Sequence, residues 1–546
     1  MTSTTSTPAV ATITVQPHSE IGRIADEVYG HFLESAFFGN VEGGVFDEGS
    51  PLALPGPGAR EGLRSDVIAL CRALGVPVVR WPGGNFTSPY HWEDGVGPRD
   101  RRPRRLELAW GSEETNRFGT DEFLAWCAEV GAQAYLAHSA RDVDEAVRWV
   151  EYTNYGGDTA YSRLRRQNGH PDPYRVRYWG IGNEVYGRWQ MGHRTAEAHA
   201  RDAREHAVFM RQVDPGIRTV GVGQPHAEEW TDALLRHAGR YLDHVSIHLY
   251  GASTHLVGGD EFDAVVAQAV FFEAELTAYA DLVSELASRH GLDRPPSLAL
   301  DEWNVRHLEP AGWPDPQPGD DGGIAARDTQ PMELDSAARV NRWSPRTLAD
   351  ALCYAGVFHA IHRLAGHDVP VAMANPVNLV NANGIVVARP EGAFGSAVYG
   401  VYDLYQNHTG RIAVRAEVDG PSRSAAVRQG HRYDRHGALT TRPGTVPDLD
   451  VSATLTEDRR TLYLAVINRH GDRPVRTTLT LPDRLAHGLA TVHQLGLADG
   501  DDDLMAGNAL SRPDRVALRE VRGATLDHGA YTFPAHTVTV LAMPLG

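Results

Sequence analysis

Arg177-Tyr178-Trp179-Gly180-Ile181-Gly182-Asn183-Glu184 is the stretch that decides the fold. Its apolar run is cut off by Gly182-Asn183, a turn pair, so it reads as a short buried strand. The turn delivers a carboxylate, Glu184, at the strand's C-terminal end. A second stretch, Ser297-Leu298-Ala299-Leu300-Asp301-Glu302-Trp303-Asn304, repeats the arrangement and delivers Glu302. In parallel α/β barrels the C-terminal strand ends carry the working residues.

Working outward, strand-like runs recur at 28–33, 76–81, 132–137, 176–182, 217–223, 245–250, 297–300 and 369–374. Helical spacing separates them, as in Leu63, Val67, Leu70, Leu74 and again in Leu276, Tyr279, Val283, Leu286. This alternation predicts an α/β chain whose residues 21–408 form a parallel, right-handed (β/α)8 TIM barrel. Glu184 then ends the fourth strand and Glu302 the seventh. Beyond residue 408 the period changes to two, as in Thr461-Leu462-Tyr463-Leu464-Ala465-Val466-Ile467. Residues 409–546 therefore read as an all-β, jelly-roll-like sandwich. Residues 1–8 read as disordered, and a strand at 11–15 is expected to join that sandwich, which assigns 1–20 to it. The Pro-, Gly- and Asp-rich run 312–323 reads as an exposed loop, with a lid as one use for it.

Composition narrows the chemistry. The chain has 546 residues, 42% hydrophobic and 22% charged, an ordinary globular balance. Its net charge of −18 argues against nucleic acid or an anionic membrane as partner. All 52 basic residues are Arg. With no Lys, Schiff-base catalysis and a phosphate-cradling P-loop lysine are excluded. Cys71, Cys127 and Cys353 are odd in number and widely spaced, so no disulfide framework or zinc site is expected. No signal peptide or membrane-length apolar run is read, and a cytoplasmic setting is the expectation.

Two strand-end glutamates facing each other across a barrel mouth suit the cutting of a glycosidic bond. One carboxylic acid protonates the leaving oxygen, and one carboxylate attacks the sugar or activates water. Competing sites are weak. The basic run 99–105 reads as a charge-paired loop. Asp499, Asp501, Asp502 and Asp503 lack the calcium-loop glycine. His359 and His362 share a helix with no obvious carboxylate, and Gly221-Val222-Gly223 lacks the third dinucleotide glycine. No metal-ligand cluster is read, and no cofactor is expected.

Several motifs occur together: Tyr29-Gly30-His31-Phe32-Leu33-Glu34, Arg80-Trp81-Pro82-Gly83-Gly84-Asn85-Phe86, Trp92-Glu93-Asp94-Gly95-Val96-Gly97-Pro98, Gly182-Asn183-Glu184 with Trp189-Gln190-Met191-Gly192, and Asp301-Glu302-Trp303-Asn304-Val305. In these the chain resembles the α-L-arabinofuranosidases of glycoside hydrolase family 51 over nearly its whole length. The resemblance implies a retaining double displacement, with Glu184 as general acid/base and Glu302 as nucleophile. The acid must hold a proton near neutral pH, so a raised Glu184 pKa is expected. Asn183 would bind the sugar 2-hydroxyl, and Glu34, Arg80 and Asn85 would line the pocket. Arg80 could equally keep Glu302 ionised. His248 and Tyr250 would contact the nucleophile or the sugar, Trp92 would stack on sugar, and Trp303 would either stack or pack. The implied substrate is an arabinofuranose-containing oligosaccharide, and the implied assembly a homo-oligomer, often a hexamer.

Three positions depart from the family pattern. Arg306 stands where Trp is common, Asn375 where a pocket Gln is common, and His138-Ser139-Ala140-Arg141 replaces an Asn- and Gly-containing loop. They leave the two glutamates alone and bear on the substrate. A roomier, more polar pocket edge predicts some tolerance of β-D-galactofuranose, which adds one hydroxymethyl group. The same mechanism on another glycoside (galactofuranoside, β-xyloside, β-glucan) and an inactive sugar-binding barrel are the alternatives, and a chromogenic-substrate assay separates them.

Overall fold

The computed structural model describes residues 9–225, 227–252, 260–309, 339–340, 345–429, 440–481, 489–526 and 529–545. The expectations for residues 1–8 and for the loop 312–323 lie outside the described residues.

Eight parallel strands form the first sheet: β2 (His31–Phe32), β3 (Val78–Trp81), β4 (Gln133–His138), β5 (Tyr178–Ile181), β6 (Arg218–Val222), β7 (His244–Ala252), β8 (Ser297–Arg306) and β9 (Val371–Pro376). Each pairs with its sequence neighbour, from β2 at one edge to β9 at the other. Both faces are buried, which is why the strands read as apolar runs rather than alternating ones. Val78, Tyr135, Tyr178, Val220, Ala299 and Met373 fill the barrel interior as one cluster. The outer faces pack on helices such as Ser65–Leu74, Gln268–Arg289 and Leu348–Arg363. Thr347 starts the last of these by accepting from the Asp350 amide.

Asn375 helps close the ring. Its Nδ2 donates to the His31 carbonyl at 2.7 Å, and the Leu379 amide donates to the Phe32 carbonyl at 2.8 Å. Asn375 is fully buried. The expectation that it lines the sugar pocket is therefore corrected: its amide is committed to joining the last strand to the first.

The first strand is shorter than its apolar run implied. Asp26–Tyr29 forms a 3-10 turn, and at the following Gly30 a Cβ would lie 2.7 Å from the Asn375 amide nitrogen. The seventh strand is longer than expected. It continues through Glu302 to Arg306, paired with β7 as far as Ala252.

The second unit is a nine-stranded sheet. Here β1 (Ala9–Arg23) lies antiparallel to β10 (Ile412–Asp419) and parallel to β13 (Val475–Thr480). Between these in sequence come β11 (Leu449–Leu455) and β12 (Thr461–Asn468), and β14 (Leu489–Leu497), β15 (Val516–Thr525), β16 (Ala530–Phe533) and β17 (Thr537–Pro544) follow. Ile13 and Val15 of β1 sit in the same core as Val414, Leu464, Val466 and Leu541. Residues 9–23 thus belong to the C-terminal sheet domain although they precede the barrel in sequence.

Polar groups outside the two strand-end motifs find partners nearby. Arg99 and Arg102 pair with Glu122, and Arg105 with Asp94. Asp501 pairs with Arg512 and Arg515. His359 and His362 are buried against Tyr405 and Tyr29 where barrel and sheet domain meet.

Candidate active site

The turn after β5 is built by backbone conformation. Gly182 takes φ of 91°, and Glu184 takes φ of 44°. A left-handed non-glycine residue costs about 1–3 kcal/mol and persists only where its surroundings hold it. Here the Gly187 amide donates to the Glu184 carbonyl at 2.6 Å, and Trp189 Nε1 donates to Glu184 Oε2 at 3.0 Å. The carboxyl is aimed into the barrel mouth and is 7% exposed. Glu302 projects from β8 and is 6% exposed.

The two carboxylates meet at His248 on β7. The imidazole Nδ1 lies 3.0 Å from Glu184 Oε1 and 3.5 Å from Glu302 Oε2. Its Nε2 lies 3.4 Å from Asp301 Oδ1. Glu302 accepts from Arg80 at 2.9 Å on one oxygen and from the Tyr250 hydroxyl at 2.7 Å on the other. Arg80 also donates to Asn183 Oδ1 at 2.6 Å and lies 3.6 Å from Asp301. The Tyr135 hydroxyl holds Asp301 at 2.7 Å. Arg80 thus ties β3, β5 and β8 together at their C-terminal ends.

These contacts decide charge. Burial alone would push Glu184 up, but the hydrogen bond and charge of His248, with help from Trp189 and Arg306, hold it below the usual carboxylate range. Burial alone would push His248 down, but Glu302, Asp301 and Glu184 raise it well above the usual imidazole range. The expectation of a raised Glu184 pKa is therefore corrected: its charged neighbours outweigh burial and favour the carboxylate, while the three carboxylates around the imidazole favour the protonated form of His248. Glu34 behaves differently. Burial pushes it up to about 8, against hydrogen bonds from the Phe86 amide and Trp110 Nε1.

Ligand-type atoms of Glu184, His248 and Glu302 all lie within 4.8 Å of one another, the one such group among the described residues. Three separate strand ends supply it, which is why spacing in the sequence did not reveal it. With Nδ1 facing both carboxylates and Arg80 supplying positive charge, the group is organised as an acid–base centre.

Most of the expected residues converge here. Glu34, Arg80, Asn183, His248 and Tyr250 surround the two glutamates, Asn85 accepts from Gln190 Nε2, and no described residue bonds the buried Asn183 Nδ2. Trp92 does not converge. It is 1% exposed, its ring stacks on Trp149 at 5.9 Å, and its Nε1 donates to the Glu145 carbonyl, so it has no face for a sugar. Trp303 packs among Phe272, Tyr354 and Phe358. Trp110, Trp189 and Asp301 were missed as site residues. Trp189 follows Glu184 within one Gly-bounded turn, a usable signal, whereas Trp110 sits in an aperiodic segment.

Gly84 lies against the nucleophile candidate: a Cβ there would stand 2.7 Å from Glu302 Oε1. Gly84→Ala is expected to displace that carboxylate and lower kcat by roughly 100-fold, since small misplacements cost this much. Kinetics together with a melting curve check this. Unchanged kcat would show that the neighbouring loop yields instead.

Two family models describe the chain: the α-L-arabinofuranosidase 1 domain over residues 70–265 and the α-L-arabinofuranosidase C-terminal domain over residues 301–537. α-L-Arabinofuranosidase C of Emericella nidulans is 33% identical over 97% of this chain and 96% of its own. The chain belongs to the α-L-arabinofuranosidases of glycoside hydrolase family 51. An intracellular exo-α-(1→5)-L-arabinofuranosidase of Streptomyces lividans is 32% identical over 96% of this chain and 73% of its own. The solved α-L-arabinofuranosidase of Thermotoga maritima, in complex with arabinose, superposes with a TM-score of 0.80 at 33% identity, covering 98% of this chain and all of that one. A family 51 enzyme of Thermotoga petrophila does so at 0.80 and 32%. Family membership thus spans both the barrel and the sheet domain.

Proposed function

We propose that this family 51 member is a retaining, exo-acting α-L-arabinofuranosidase that releases terminal arabinofuranosyl residues from oligosaccharides. The observation that carries the chemistry is the approach of a Glu184 and a Glu302 carboxylate oxygen within 4.8 Å. Retaining enzymes hold their carboxyl groups about 5–5.5 Å apart, and inverting ones about 6.5–9.5 Å to admit a water.

The step sequence follows. The proton on His248 Nδ1 passes to Glu184 as substrate displaces water. Glu302 attacks the anomeric carbon, the bond to the leaving oxygen breaks, and Glu184 gives that oxygen its proton. The glycosyl group is then an ester of Glu302. Glu184, now a carboxylate, takes a proton from water as the oxygen of that water adds to the anomeric carbon and Glu302 is released. The proton returns to the imidazole. Arg80 and the Tyr250 hydroxyl donate to Glu302 and orient its carboxylate for the attack. Asn183 Nδ2 is the donor for the sugar 2-hydroxyl.

His248→Asn removes the group that holds the shared proton at high pH. The basic limb of the kcat/KM profile is expected to move to lower pH, because Glu184 alone must then stay protonated. An unchanged limb would remove His248 from the proton's path.

The substrate assignment is tested by kcat/KM on nitrophenyl α-L-arabinofuranoside, β-D-galactofuranoside, β-D-xyloside and β-D-glucoside. A lead of several orders of magnitude for arabinofuranoside supports it, and comparable galactofuranoside turnover supports the broader reading. With Asn375 buried in the barrel seam, a wider pocket edge would rest on Arg306 or His138. Among the described residues no helix is long and apolar enough to cross a membrane. The intracellular relative supports a cytoplasmic setting, and a homo-oligomer completes the proposal, with light scattering as its test.

A further inference from the structure

Arg306 is four residues beyond Glu302 on β8, opposite Ala252 of β7. It takes no part in the steps above and is 9% exposed. Its guanidinium carbon lies 3.7 Å from the centroid of the Tyr250 ring. Phe32 and Val377 form a cluster with the same ring, and its hydroxyl donates to Glu302 Oε2 at 2.7 Å. A planar, weakly hydrated guanidinium stacks on an aromatic face as an ammonium cannot.

We propose that Arg306 is a positioning residue: its flat face fixes the Tyr250 ring so that the hydroxyl stays on Glu302. This rests on the assignment of Glu184 and Glu302 given above. Tyr250 is a lever whose far end holds the nucleophile, and a ring free to turn would let that hydrogen bond break. Its charge also lowers the pKa of Glu184 and opposes the upward push of burial on Tyr250, so the pH profile gives a second readout of the Arg306 variants. Among the described residues, His248 and Tyr250 from β7, Glu302 from β8 and Tyr186 from its own turn also face Glu184, and Arg80 of β3 bonds the neighbouring Asn183. Glu34 stands beyond Glu302.

Two substitutions test this. Arg306→Met keeps an unbranched apolar stem and loses charge and plane, and Arg306→Lys keeps charge and loses the plane. Activity of the wild type on nitrophenyl arabinofuranoside tests the underlying assignment by itself, and the variants are then compared with it at matched melting temperature. Arg306→Met is expected to lower kcat by about 10- to 100-fold, as nucleophile misplacement does. It is also expected to move the basic limb to higher pH, because a positive neighbour has been removed. Arg306→Lys should restore the limb but leave kcat low. In a Tyr250→Phe background, Arg306→Met should lower kcat no further yet still move the limb. The proposal is overturned if Arg306→Met keeps wild-type kcat and pH profile. It is equally overturned if the variants change KM alone, or if the kcat losses of Arg306→Met and Tyr250→Phe multiply.

Discussion

Glu302→Ala is expected to lower kcat by on the order of 10⁴- to 10⁶-fold, the scale on which removal of a nucleophile acts. Azide should then restore turnover and deliver the glycosyl azide with inverted configuration, because the small anion enters the space the carboxylate leaves. The surroundings make this a sharp test. Arg80 and the Tyr250 hydroxyl both end on Glu302, so the variant leaves two donors aimed at an empty anion site. Melting curves separate loss of chemistry from loss of fold. Near wild-type activity without azide would end the assignment.

Glu184→Ala is expected to split substrates by leaving group. With a nitrophenolate leaving group the first displacement needs little proton assistance and should persist. The second displacement loses its base and should become rate-limiting, giving a burst followed by a slow phase. With alkyl arabinofuranosides both displacements suffer, and kcat/KM should fall by about 10²- to 10⁴-fold, the usual contribution of general acid catalysis. The basic limb of the pH profile should vanish with it, since the His248 proton has no route to the leaving oxygen. Equal loss on all substrates, with the limb retained, would contradict the role.

The barrel was legible because parallel strands buried on both faces leave long apolar runs between helical periods, and because Gly182-Asn183-Glu184 and Asp301-Glu302 mark strand ends. Both glutamates and their strand order were readable on those grounds. Residues acting through distance in space were harder to read. His248 could be placed near the site, but not its position between both carboxylates, which reverses the charge expected of Glu184. Trp92 and Asn375 illustrate the opposite error. Each sits in or near a family motif, yet the tryptophan is stacked into the helical layer and the asparagine joins the first strand to the last. Side-chain direction follows from register and packing, which a motif does not state. Arg306 was noted only as a departure, and its stack on Tyr250 depends on β8 running four residues past Glu302.

The central claim is that Glu302 carries the sugar between two displacements assisted by Glu184. Glu184→Ala, mixed with nitrophenyl α-L-arabinofuranoside and quenched during the slow phase, should hold the intermediate. Peptide mass spectrometry is then predicted to find one pentosyl unit esterified to the peptide containing Glu302 and to no other carboxylate. An adduct on a different residue, or turnover with no adduct and an inverted product, would contradict the account.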